Sequence, residues 1–122
     1  MTRDQIALAS RAVACRAWRW IPGMLTTDGF RICRVDADGY KFGYLTKYSY
    51  AYTVDGDVLP DLEDHATLGC LLALVREALD TPQAHVLYIA GLHRWECADN
   101  RVVLGVGATE AEALVAALEE VP

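Results

Sequence analysis

Four cysteines (Cys15, Cys33, Cys70, Cys97), three histidines (His65, His85, His93) and the carboxylates Asp61, Glu63 and Asp64 are the side chains of this sequence whose chemistry could reach beyond packing. A zinc site gathers ligands about 2 Å from one ion, usually from close-spaced pairs such as C-x-x-C or H-E-x-x-H. Neither pair occurs. His93 and Cys97 fall on one face of an expected strand, but four residues of extended chain hold them about 13 Å apart. Asp36-Ala37-Asp38-Gly39 opens like a calcium loop, yet Lys47 stands at the twelfth position where a bidentate Glu belongs, so a hairpin turn is the better reading. No cysteine or serine lies in a nucleophile elbow. The three carboxylates stand at a helix start, where they act as cap and dipole partners. Gly105-Val106-Gly107 precedes a helix without the lysine or third glycine of a phosphate loop, and Glu110 and Glu112 would repel a phosphate there. No catalytic residue, metal or cofactor is expected.

The remaining candidates are aromatic. Tyr40, Phe42, Tyr44, Tyr48, Tyr50 and Tyr52 all fall on even positions, and Trp18 and Trp20 lie close together near the end of the first helical segment. Tyrosine buries area at low entropic cost and keeps a polar tip, which suits interfaces. Trp18, Trp20, Tyr40, Tyr44, Tyr48, Tyr50 and Tyr52 are therefore the expected protein-binding residues. The competing expectation is that the tyrosines pack under a helix with their hydroxyls at the rim. One strand from Lys41 to Val54 would exceed about 40 Å. The chain must bend near Thr46-Lys47, or a β-arm projects.

These side chains sit in a chain of 122 residues, 53% hydrophobic and 23% charged, which suits one domain over residues 1–122 with its own core. The net charge is −6. Residues 1–35 carry six Arg and two Asp, a balance of +4, and residues 36–122 carry five Lys or Arg and fifteen Asp or Glu, a balance of −10. The basic residues Arg3, Arg11, Arg16 and Arg19 scatter around the first helix, and the global field opposes DNA. The start of the chain is charged and its longest apolar run is far too short to cross a bilayer, so a soluble cytoplasmic protein with no membrane contact is expected. Each cysteine lies in an apolar segment, which favours four reduced, buried thiols over disulfides.

Thr2 and Gln5 form a capping box, so a helix begins near Arg3, with Ile6, Ala9, Val13, Ala17 and Trp20 as its buried stripe and Pro22-Gly23 as its stop. Trp18 and Trp20 cannot both face that stripe. Either Trp18 meets a second surface, or the helix ends early and residues 18–22 are extended. Phe30 to Asp36 and Tyr40 to Leu45 flank Asp38-Gly39 as a hairpin pairing Val35 with Phe42 and Cys33 with Tyr44. Tyr48 to Val54 is a third strand, followed by a short return at Val58-Leu59. Asp64 caps a second helix with Leu68, Leu71, Leu72, Val75 and Leu79 inward. His85 to Ala90 reads as a central strand. A hairpin about Asp99-Asn100 pairs Trp95 with Leu104 and Cys97 with Val102. Thr109 and Glu112 form a capping box for a last helix with Ala111, Leu114, Val115, Leu118 and Val121 inward. The expected fold class is α+β, a mainly antiparallel sheet packed by three helices.

Pro60-Asp61-Leu62 before an apolar helix, the aromatic strand at Trp95 and Ala108-Thr109-Glu110 before the last helix resemble the phage ABA sandwich domain over about residues 59–122, and WRWIPGM (Trp18 to Met24) looks like small proteins of phages and prophages. The resemblance implies a sheet between helical layers and a non-enzymatic phage or prophage accessory protein. Such a protein would bind, and by binding inhibit, a host or defence protein. Two alternatives stay open: a binder of a small nucleotide-type ligand, using Arg94, Arg101 and His93, and a self-assembling phage component, which would make a homo-oligomer.

Overall fold

The computed structural model describes residues 1–45, 51–100 and 102–122. It is α+β: three helices, α1 (Arg3–Ala14), α2 (His65–Ala78) and α3 (Glu110–Glu119), with two three-stranded antiparallel sheets. The first sheet is β1 (Phe30–Val35), β2 (Lys41–Leu45) and β3 (Tyr52–Val54), and the second is β4 (His85–Ile89), β5 (Arg94–Asp99) and β6 (Val102–Gly107), each in chain order. No described helix is long and apolar enough to cross a membrane.

All three helices start where their caps demand. Thr2 and Gln5 bond reciprocally to each other's backbone N–H groups. Asp64 accepts from the Thr67 N–H at the start of α2. Thr109 accepts from the Glu112 N–H, while the Glu112 carboxylate reaches one residue further back than a capping box requires, to the Ala108 N–H. The first helix ends at Ala14, so residues 18–21 are non-helical, and Ile6 and Val13 stand exposed where a longer helix would have buried them. Its buried contacts are the small residues Ala9 and Ala12.

The core is organised around α3, whose Ala111, Ala113, Leu114, Val115, Ala117 and Leu118 are all buried. One side of α3 lies on the second sheet; α1 and α2 pack against the helix as well. The approach to β6 is backbone to backbone. A Cβ on Gly105 would collide with the Ala113 carbonyl and the Ala117 N–H, and one on Gly107 would collide with Glu112 and come within 2.8 Å of the Ala113 nitrogen. Gly105 and Gly107 thus make room for the helix, which gives the Gly-Val-Gly motif a packing role.

The first sheet reaches the core differently. Residues 23–26 lie beside β1 through Gly23 N–H to Ile32 O and Ile32 N–H to Met24 O, both 2.8 Å, and residues 59–61 lie beside them in turn. Met24, Ile32, Val54, Val58 and Leu62 carry this sheet and its flanking segments into the same apolar cluster as Leu68, Leu71 and Leu114.

Both hairpin registers differ from expectation, in each case first at the loop and again at a bulge further along the strands. In the first, Val35 pairs with Lys41, Arg34 with Phe42, Ile32 with Gly43 and Arg31 with Tyr44, with a bulge at Cys33. The loop is the three residues 37–39, with Gly39 left-handed at φ 88° and the Asp36 carboxylate accepting from the Asp38 and Tyr40 N–H groups. In the second, Trp95 pairs with Gly107 and Cys97 with Gly105, then Ala98 with Val103 and Asp99 with Val102, so Leu104 is the extra residue. Each bulge inserts one residue and shifts the faces by one position. Cys33 is consequently exposed rather than buried, and only Cys97 of the four free thiols is fully buried. The strand at His85–Ile89 is an edge strand, not a central one, because β5 occupies the middle. His93 precedes β5 in a left-handed conformation, φ 51°, outside the strand it was expected to begin.

Candidate functional site

The pairing of the first sheet sorts its aromatic residues. Directly opposed residues of antiparallel strands project to one face. Phe42, paired with Arg34 and Thr53, therefore shares a face with Tyr44, paired with Arg31. Tyr52 is paired with Gly43 and so points to the opposite face, where its ring meets Phe30 edge-on at 6.2 Å. The even spacing of the tyrosines does not place them together, because the β2–β3 register joins an odd position to an even one. Tyr40 stands in the hairpin loop, 61% exposed, and Tyr44 is 38% exposed. Tyr48 and Tyr50 lie outside the described residues, as do the bend expected at Thr46-Lys47 and the start of the strand expected from Tyr48.

Trp18 and Trp20 belong to neither exposed group. Their rings meet edge-on at 5.5 Å, and both pack partly buried against the core. The Lys41 ammonium lies 5.4 Å from the centre of the Trp20 ring, and Lys41 as a whole is buried. Lys41 pairs with Val35 and Val54, on the face of the sheet opposite Phe42. The tryptophans therefore brace the sheet from behind the face that carries Tyr44.

That face holds a contact no spacing rule anticipated. The Arg34 guanidinium lies 4.2 Å over the Phe42 ring, next to Tyr44. Arg34 is exposed and Phe42 half-buried. The expected register set Phe42 opposite Val35; the three-residue loop sets Val35 opposite Lys41 instead and so brings Phe42 opposite Arg34. The edge of the same face is fixed by Arg31. Its guanidinium donates to both Asp64 carboxylate oxygens, at 2.6 and 3.1 Å, and to the Gly23 carbonyl at 3.0 Å. Asp64 also accepts from the Thr67 N–H and hydroxyl, and the Thr67 hydroxyl accepts from the Leu25 N–H at 2.9 Å. The Arg31 hydrogen bond, aided by those from Thr67 and by the guanidinium charge, pulls the Asp64 carboxyl down to about 2, against the opposing effect of burial. Arginine and aromatic rings on a braced sheet form the composition that dominates protein interfaces.

A cleft lies elsewhere, where the starts of α1 and α3 meet the loop before α2. It holds about 480 Å³, with Leu8, Leu62 and Leu68 on its floor and Asp4, Asp61, Glu63, Glu110 and Glu112 around it. Five carboxylates repel phosphate groups, so this cleft does not suit a nucleotide. Of the residues expected for a nucleotide, Arg94 is held by Glu96 at 2.8 Å, His93 is exposed on a left-handed turn, and Arg101 lies outside the described residues. Burial pushes the Cys15, Cys70 and Cys97 thiols up, away from the reactive thiolate form. Among the described residues no three His, Cys, Asp or Glu side chains converge as a metal site would require.

No protein-family model, no curated protein and no solved structure matches this chain.

Proposed function

We propose that the chain acts without catalysis, by binding another protein on the face of the first sheet that carries Arg34, Phe42 and Tyr44, with Tyr40 at its tip. The observation that carries this reading is the Arg34 guanidinium stacked on Phe42 beside an exposed Tyr44. Stacking on the ring restrains the rotamer-rich Arg34 side chain before a partner arrives, so less entropy is lost on binding. Trp18 and Trp20 contribute from behind, by holding Lys41 and β2 in place, and Arg31 with Asp64 fixes the sheet to α2. A partner suited to this face offers an apolar or aromatic group next to a carboxylate, which meets Arg34. The resemblance of residues 59–122 to the phage ABA sandwich domain supports a phage or prophage accessory role, in which the occupied protein belongs to the host or to its defences.

Affinity capture from bacterial lysate, run in parallel with wild type, Arg34→Glu and Tyr44→Ala, tests the reading. The wild type retains a partner that both variants lose. Variants that keep their circular dichroism spectrum and retain the same proteins as wild type would remove this face from the function.

A further inference from the structure

The second sheet has two unlike faces. One carries Val86, Trp95, Cys97, Gly105 and Gly107 toward α3, where Gly105 and Gly107 leave no room for a Cβ. The pairing places Leu87 opposite Glu96, Ile89 opposite Arg94, Glu96 opposite Val106 and Ala98 opposite Val103, all on the other face. None of these apolar residues joins the core cluster, and Val103 and Val106 are 50% and 41% exposed. Five apolar side chains thus surround one ion pair. Glu96 is only 9% exposed, and Arg94 holds its carboxylate at 2.8–2.9 Å.

We infer that this face is a homodimer interface, covered by a second copy of the chain across a two-fold axis. The argument is one of charge. Among the described residues the face carries, beside His85 at its edge opposite Ala98, one carboxylate and one guanidinium, two residues apart on the central strand. A two-fold axis passing between them, near Trp95, sets Arg94 of each copy against Glu96 of the other. A surface of this kind is complementary to itself. It offers nothing to a strongly charged partner such as nucleic acid. The chain as a whole carries −6, so two copies repel except where a locally neutral face lets them approach. Two such faces stack about 10 Å apart, as sheets do in a sandwich, with the apolar side chains between them. Three strands of five or six residues cover a footprint of about 300 Å², below the usual size of a permanent interface. The dimer is therefore weak and depends on concentration. The inference is independent of the first sheet and of what binds there.

Sedimentation equilibrium from about 1 μM to about 1 mM provides the test. The mass rises from that of one 13.4 kDa chain toward two across this range. Val106→Glu, at a site exposed enough to keep the fold, weakens association by about tenfold or more. Arg94→Glu and Glu96→Arg each do the same alone, because each sets like charges across the axis. An equimolar mixture of those two variants regains association, since one now supplies two anions and the other two cations. Circular dichroism confirms that each variant is folded, with Val103→Asp as a second apolar-face variant should Val106→Glu unfold. A wild-type chain that stays at single-chain mass up to the highest concentration would overturn the inference. So would folded variants that associate like wild type, or a mixture that gains nothing.

Discussion

Arg31 and Asp64 meet through two hydrogen bonds, 2.6 and 3.1 Å long, and Asp64 is also the residue that caps α2. One carboxylate therefore ties β1 to the start of a helix 33 positions further along the chain. Its Arg31 partner holds its pKa at about 2, below the ordinary 3.8. A carboxyl depressed by folding contributes stability that is complete above its unfolded pKa and disappears as pH falls through the folded one. Stability from this pair is thus constant near neutrality and declines between about pH 4 and pH 2. Asp64→Asn, which keeps a capping side chain, lowers stability at pH 7 by about 2 kcal/mol, and the difference from wild type closes toward pH 2. Urea denaturation at the two pH values measures it. A difference of the same size at both would show that the ion pair contributes nothing specific.

The contact of β6 with α3 predicts opposite outcomes for one substitution at two glycines. Gly105→Ala drives a methyl into the backbone of Ala113 and Ala117 and destabilises by about 2–3 kcal/mol. Gly69→Ala, on the open side of α2 with nothing within 4 Å, stabilises by about 0.5–1 kcal/mol through helix propensity. Thermal denaturation compares the two. A neutral Gly105→Ala would mean that α3 stands further from the sheet.

What the sequence disclosed and what it hid follow from range. The helix caps at Thr2, Asp64 and Thr109 were legible because each is a local bargain between a side chain and an N–H three residues on. The strands were found, with their antiparallel pairing, because alternation and turn residues mark them, although the short return expected at Val58-Leu59 forms no strand. The registers were not, because neither the lengths of the loops nor the bulges at Cys33 and Leu104 leave a mark in an alternation pattern. For α1 the spacing left two readings open, and the early end is the one formed, with Trp18 and Trp20 beyond Ala14 and packed on each other rather than along a helical stripe. Of the site, Tyr40 and Tyr44 were read from composition. Arg34 was not, since it stands opposite Phe42 only because the loop between the strands holds three residues rather than two.

The thiols differ enough to be told apart by rate. Cys33 is exposed and donates only to the Phe42 carbonyl at 3.3 Å, whereas Cys97 is fully buried and burial pushes its thiol up. In native protein a thiol reagent modifies Cys33 first, Cys97 last, and Cys15 and Cys70 in between, while all four react together in denaturant. Peptide mapping by mass spectrometry gives the order. Labelling of Cys97 as fast as Cys33 in folded protein would contradict the placement of the bulge.

Hydroxyl-radical footprinting of the chain, free and bound to its captured partner, reads side-chain accessibility residue by residue. Binding through the first sheet predicts that Tyr40, Phe42 and Tyr44 lose reactivity in the complex while Tyr88 and Trp95 keep theirs. Unchanged reactivity at Tyr40 and Tyr44 in a saturated complex would contradict it, whichever other residues became protected.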